Sequence, residues 1–186
     1  LPFVDLSPAH DREYFSDGMT EELINTLGRV EGVRVASRMS SFAFKGKTPD
    51  VREVGTRLGV ATVLEGSVRT ADSTLRITAR LSDAREGYQL WSRTYERKLE
   101  DVFEIQERLS RQIVEALWLR LTPAEDRRLA QRPIEDVRAY EYYLLARQQI
   151  WSFNAQSLDH ALQLVRRAEE IVGDNELLFV AEGLIY

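Results

Sequence analysis

The chain predicts an α+β fold, a mixed and mostly antiparallel sheet covered by helices, followed by an all-α helical-hairpin repeat. Three observations predict it. Apolar residues recur every three or four positions early in the chain, the period falls to two across residues 62–97, and helical spacing returns from Asp101 to the end.

The elements follow in order. LPFVDL at the start reads as the end of a buried strand whose beginning lies upstream, leaving room for an anchor or targeting segment before Leu1. Phe15, Met19, Leu23, Ile24, Leu27 and Val30 then mark one face of an amphipathic helix over 13–30, stopping at Glu31-Gly32. Residues 33–36 alternate as a short strand, and 40–44 fit one helical turn before a Lys45-Gly46-Lys47 loop. A helix is expected over 49–58, with Thr48 as N-cap, Pro49 at the first helical position and Gly59 closing its end.

Three strands are expected at 62–70, 75–81 and 88–97, joined by the turn formers Ala71-Asp72-Ser73 and residues 83–87. In the middle strand Leu75, Ile77, Ala79 and Leu81 point one way, and Arg76, Thr78 and Arg80 the other. The sheet therefore has one buried face and one wet face, and helices must cover the buried one.

Beyond Asp101 every pattern is helical. Val102, Ile105, Leu109, Ile113, Ala116 and Leu117 make a stripe long enough to lie across the sheet, and Thr122-Pro123-Ala124-Glu125 is a capping box opening a short helix that ends before Arg132-Pro133. Further on, Leu158, Ala161, Leu162, Val165, Ala168 and Val172 line one helix, Gly173-Asp174-Asn175 breaks it, and Leu177 starts another. Ala161 and Ala168 allow close helix approach, as in a solenoid of helical pairs. The expected division is 1–121 for the α+β domain, its first strand truncated; 122–135 for a connector with a short helix; and 136–186 for an incomplete repeat. Leu177, Leu178, Ala181 and Ile185 would leave an apolar face open, to be covered by further chain, a partner or self-association.

Composition places the 186 residues among ordinary folded chains, at 44% hydrophobic and 30% charged. No apolar run approaches the roughly 18 residues that span a bilayer. Residues 1–121 hold 18 Lys/Arg against 19 Asp/Glu, and 122–186 hold 7 against 11, so neither part carries the cation excess of a phosphate-backbone binder. The absence of cysteine removes disulfides, thiolate nucleophiles and cysteine-ligated zinc together.

Reactive constellations are equally sparse. Gly46-Lys47-Thr48 resembles the close of a P-loop, but Ser41 stands where the first glycine belongs, and bulky Phe42 and Phe44 would crowd the phosphates. His10 and His160 fall in different parts and lack partners at metal spacing, and no serine has a nucleophile-elbow context. Glu21-Glu22, Glu100-Asp101 and Glu104 read as acids near helix N-termini, where they complement the macrodipole. Trp91 and Tyr95 share a strand face, and Tyr140, Tyr142, Tyr143 and Trp151 crowd one helix; core and hairpin packing account for both groups. No cofactor, metal or catalytic residue is expected. The candidate ligand or partner contacts are Arg38, Ser40, Ser41, Phe42 and Lys45, set against the plainer reading of a helical turn packed on the sheet edge.

Six blocks in order carry a resemblance: LPFVDLSP, YFSDGMTEELINTL, VRVASRMSSFAFKGK, LGVATVLEGSVR, LRITARLSDAREGYQLWSRTYER and DVFEIQERLSRQIVEAL. Over residues 1–121 they resemble the TolB amino-terminal-like domain of bacterial regulatory proteins. AYEYYLLARQQIW and SLDHALQLVRRAEEIV are similar to the two helices of a tetratricopeptide repeat, although Ala146 replaces the usual glycine and Gly173-Asp174 stands where proline is usual. The resemblance implies a signal-transduction region that follows a membrane helix and regulates an amino-terminal output domain. That output would be a class III adenylate/guanylate cyclase, a winged-helix DNA-binding domain or a protein kinase; an independent repeat scaffold is the remaining alternative. It further implies a periplasmic or otherwise extracytoplasmic location, with a cytoplasmic one as the alternative. The partner would be a protein or peptide, with homo-oligomers allowed and neither direct nucleic-acid contact nor membrane contact by this segment itself.

Overall fold

A four-stranded sheet in the order β1-β2-β3-β4 organises the first half of the chain. In the computed structural model, which describes residues 1–186 except His10, Pro133 and Phe153, the chain divides into two units, Leu1–Ala130 and Gln131–Tyr186. The expectations for His10 and Pro133 thus lie outside the described residues.

In the first unit β1 (Val4–Asp5) runs parallel to β2 (Thr62–Ala71), which pairs antiparallel with β3 (Thr74–Asp83), and β3 with β4 (Gln89–Lys98). The mixed, mostly antiparallel sheet is the one the alternation called for. Asp72 takes a left-handed φ of 53° in the β2–β3 turn, a conformation that Asp tolerates better than most residues. On one face Leu75, Ile77, Ala79 and Leu81 are fully enclosed.

Two long helices provide the cover. α1 (Glu13–Leu27) packs on β1 and β2, and beyond a short helix α2 (Arg38–Phe42) and α3 (Val51–Leu58) lies α4 (Val102–Ala116), which packs on α1 and β4. Phe15, Met19 and Leu23 from α1 and Val102, Ile105, Leu109 and Ile113 from α4 complete the core. Each such side chain contributes about 1.5–3 kcal/mol by leaving water. Gly66 of β2 is required by this packing: a Cβ there would lie 2.6 Å from the Phe3 ring and 2.5 Å from the Thr78 carbonyl oxygen.

The other face is open except at one end, where Val63, Ala84, Val54 and Phe44 form a smaller apolar cluster. Here α3 approaches so closely that a Cβ on Gly55 would be 2.6 Å from that of Ala84. α5 (Pro123–Leu129) closes the unit, with the expected capping box between Thr122 and Glu125.

Several local expectations are corrected. α1 ends at Leu27, and buried Val30 follows in a turn. Residues 33–36 are not a strand; among the described residues no strand pairs with them. α3 is capped by Asp50, whose carboxylate accepts from Arg52 N–H at 2.8 Å, so Thr48 and Pro49 precede the helix rather than start it. The expected αL closure by Gly59 is present, at φ 64°.

The second unit consists of α6 (Val137–Ile150), α7 (Ala155–Val172) and α8 (Glu176–Gly183), with α6 and α7 packed as a pair. Asp136, Asn154 and Asn175 cap the three N-termini with side-chain oxygens. Ala139 and Ala146 on α6, with Ala161 and Ala168 on α7, are buried, and Gly173 ends α7 at φ 71°. The expected open face is corrected here: Leu178 and Ala181 are buried, Leu177 and Ile185 are half-buried, and the exposed apolar residues are Phe179 and Val180 of α8 and Leu184 just after it.

Candidate contact site on the first unit

The α2 turn exists because Ser37 caps it, its hydroxyl oxygen accepting from Ser40 N–H at 3.2 Å. The turn brings Arg38, Ser40, Ser41 and Phe42 together, and the chain returns Lys45 to the same place. Arg38 stacks on Phe42 with its guanidinium carbon 4.1 Å from the ring centroid, and Lys45 Nζ lies 5.9 Å from the same centroid.

Both cations turn towards α1. Arg38 Nε donates to Glu21 Oε1 at 2.5 Å, while Lys45 Nζ meets Asp17 Oδ2 at 2.5 Å and Glu13 Oε1 at 2.8 Å. Glu13, Asp17 and Glu21 are four residues apart and so form one stripe along the helix. Glu21 and Glu22 lie in the interior of α1 and not at its N-terminus, which corrects the macrodipole reading for that pair. Glu21 is an ion-pair partner for a neighbouring turn.

Burial pushes the Asp17 carboxyl above its usual range, an effect that Lys45 only partly offsets. Burial alone would lower the Lys45 ammonium, but the hydrogen bonds and charges of Asp17 and Glu13 outweigh it, and its pKa is raised. Lys45 is accordingly a fixed cation and not a free amine nucleophile. Ser41 is buried under the turn. The exposed members of the candidate set are Lys45, whose ammonium is engaged as above, and Ser40, beside exposed Met39, with its hydroxyl bonded to Ser37 Oγ at 2.9 Å.

The Lys45-Gly46-Lys47-Thr48 loop does not open a helix. Lys47 Nζ donates to the Ala43 carbonyl at 2.6 Å, and α3 starts only at Val51. A phosphate cradle needs a helix N-terminus immediately after the loop. The loop instead forms one rim of a cleft of about 1210 Å³ whose other walls are Val4 and Leu6 of the β1 edge and Glu65, Ser67, Thr78 and Arg80 of the open sheet face. Val4 and Leu6 are 56% and 52% exposed. Sequence reasoning missed this cleft because it took the wet face as plain solvent surface.

A second role of Glu125 was also missed. Beyond its capping box, its Oε1 accepts from Glu31 N–H at 2.7 Å, a link across 94 residues. The Glu31 amide, then the Thr122 hydroxyl and amide, hold its carboxyl down at about 2. Of the aromatic groups, half-buried Tyr95 donates to Gln112 Oε1 at 2.7 Å and buried Tyr140 and Tyr143 stack with centroids 6.4 Å apart, whereas Trp91 is half-buried and Trp151 is exposed, which corrects the expectation of hairpin packing for Trp151. Among the described residues no group of three or more His, Cys, Asp or Glu is placed to hold a metal ion.

No protein-family model matches the chain. It is 45% identical over 171 residues, 92% of its length, to a protein described as "Putative adenylate cyclase 3" from Rhizobium meliloti (strain 1021). The chain is homologous to a region of that protein. It spans 29% of the relative's length. Among solved structures, the lipoprotein GNA1162 from Neisseria meningitidis aligns at 21% identity and a TM-score of 0.45, covering 66% of this chain and 96% of that one. No helix among the described residues is long and apolar enough to cross a membrane.

Proposed function

We propose that residues 1–186 are the non-catalytic sensory and protein-interaction region of a larger bacterial signalling protein, and that they regulate an upstream class III adenylate/guanylate cyclase. One observation carries this reading: 45% identity along nearly the whole chain to a segment that makes up 29% of a protein described as an adenylate cyclase. The site chemistry supports it, because the acids of the candidate site are engaged by Arg38 and Lys45 in holding α2 to α1.

In this reading the first unit is a TolB amino-terminal-like domain and the second a tetratricopeptide-like repeat, both outside the cytoplasm. A protein or peptide partner binds the α2 turn through Arg38, Ser40, Phe42 and Lys45, with buried Ser41 supporting the turn from beneath, or binds the repeat, and self-association is one form this takes. Control of the output requires that the partner bind two states of the region with different affinity.

Calorimetry with Mg-ATP and an assay for cyclic nucleotide, both on residues 1–186, provide the test. No saturable heat and no product are expected. Binding that Lys47→Ala abolishes, or any turnover by this segment, would refute the non-catalytic assignment. A periplasm-specific reporter fused at Tyr186 of the full-length protein is expected to be active, and a silent one would place the region in the cytoplasm.

A further inference from the structure

At its other end the sheet stops on β4, a strand of ten residues, Gln89–Lys98, with no proline among them. Leu99 N–H donates to the Ser73 carbonyl at 2.9 Å, which makes these two a hydrogen-bonded pair and sets the parity of the whole β3–β4 ladder. Main-chain groups of Trp91, Arg93, Tyr95 and Arg97 therefore face β3, and those of Ser92, Thr94, Glu96 and Lys98 face outward. Among the described residues no strand pairs with that outer edge. The outward carbonyls of Ser92 and Glu96 are met by the guanidinium of the next residue, Arg93 at 3.3 Å and Arg97 at 2.9 Å. Both arginines are exposed, so water or another strand replaces these caps at little cost. A long edge of this kind is a template for pairing.

The side chains select one register for β4 against its own copy. An antiparallel pair must oppose outward-facing residues, and a two-fold axis at any position from Ser92 to Glu96 achieves this. Charge removes most of them. An axis at Arg93 sets that residue against itself, one at Tyr95 sets Arg93 against Arg97, and one at Glu96 opposes two glutamates. An axis at Ser92 draws in the irregular stretch where Trp91 and Gln89 lie opposite Leu81 and Ser82. Thr94 remains. There Thr94 meets Thr94, Ser92 meets Glu96, and Arg93 and Arg97 come to lie beside Tyr95 and Trp91 of the second copy, half-buried rings suited to a guanidinium.

We infer that β4 is a self-association edge, on which two copies of this chain join antiparallel about a two-fold axis at Thr94 and make their sheets continuous. The occupant is a second copy because β4 itself supplies an unlike neighbour for both of its arginines and for Glu96. This assigns self-association to a surface separate from the α2 residues, and it holds whether or not the region controls a cyclase.

Velocity sedimentation of residues 1–186 over a dilution series tests this. A monomer–dimer equilibrium is expected, and a monomer at every concentration overturns the proposal. Thr94→Pro removes an outward N–H and leaves the β3 ladder in place, since an edge strand tolerates proline on its solvent side. It is expected to weaken the dimer about tenfold or more with an unchanged circular dichroism spectrum. A dimer that Thr94→Pro leaves intact, or that Val180→Asp on exposed α8 disperses instead, contradicts the edge assignment. Because the chain has no cysteine, Thr94→Cys gives a second readout: each residue 94 would lie about 5.5 Å, Cα to Cα, from its own copy. Mild oxidation is expected to link Thr94→Cys into a disulfide dimer and to leave Ser92→Cys, which the register holds away from its own copy, unlinked. Cross-linking at Ser92→Cys alone overturns the axis at Thr94.

Discussion

The two sides of α1 hold different things by different forces. One side, Phe15, Met19 and Leu23, is sealed into the core with α4 and β3, whereas the other, Glu13, Asp17 and Glu21, holds the α2 turn and Lys45 by charge. Apolar burial is non-directional and large, so the first side sets the fold. Glu21 and Asp17 are largely buried while Arg38 and Lys45 stay partly exposed, so much of the attraction in these pairs is offset by desolvation and the second side is held by charge complementarity rather than by apolar burial.

Mutations should separate the two. Leu109→Ala empties a fully enclosed site and is expected to cost about 2–5 kcal/mol in a urea unfolding series; a loss no larger than that from Arg38→Ala would erase the contrast. Gly66→Ala pushes a methyl group into the Phe3 ring and the Thr78 carbonyl oxygen, and about 1–3 kcal/mol of destabilisation is expected. A thermal midpoint unchanged by that substitution would mean that Phe3 does not pack over β2. Arg38→Ala takes a charge-assisted hydrogen bond from the buried Glu21 carboxylate and should cost about 1–3 kcal/mol by denaturant midpoint, while pull-down reads any change in capture by the α2 turn.

The carboxylates sharpen the comparison through pH. Glu125 has a folded-state pKa depressed to about 2 from an ordinary value of 4.5, by the Glu31 amide first and then by Thr122. Its stabilising contribution is thus present above pH 4.5 and lost as pH falls towards 2. Asp17 shifts the other way, so its contribution is fully present below the ordinary Asp range and is lost as pH rises through its raised value. In a midpoint-versus-pH series, Glu125→Gln should flatten the fall between pH 4.5 and 2. Asp17→Asn should leave that fall in place.

What was legible in the sequence follows the same division. The β3 alternation and the α4 stripe were readable because burial imposes a period that one strand or helix displays alone. The Thr122–Glu125 capping box was readable because it is local. Residues 33–36 were misread as a strand: their alternation is genuine, but a strand needs a neighbour, and none of the described strands supplies one. Asp50 displaced Thr48 as the α3 cap because a carboxylate nearer the first free amides was available. Four of the five candidate contacts lie on α2 and Lys45 returns beside them, but the acids that engage Arg38 and Lys45 lie 17 to 32 residues earlier in the chain. Glu125 bridging to Glu31 across 94 residues has no sequence signal at all.

The central claim is that this region regulates a catalytic centre it does not contain. Its most direct test is cyclic nucleotide formation from Mg-ATP and Mg-GTP by the full-length protein, before and after excision of residues 1–186. Turnover that survives excision but loses its dependence on the partner or on the region's state is expected. Turnover abolished by excision and recovered by residues 1–186 alone would place the chemistry in this segment and contradict the account.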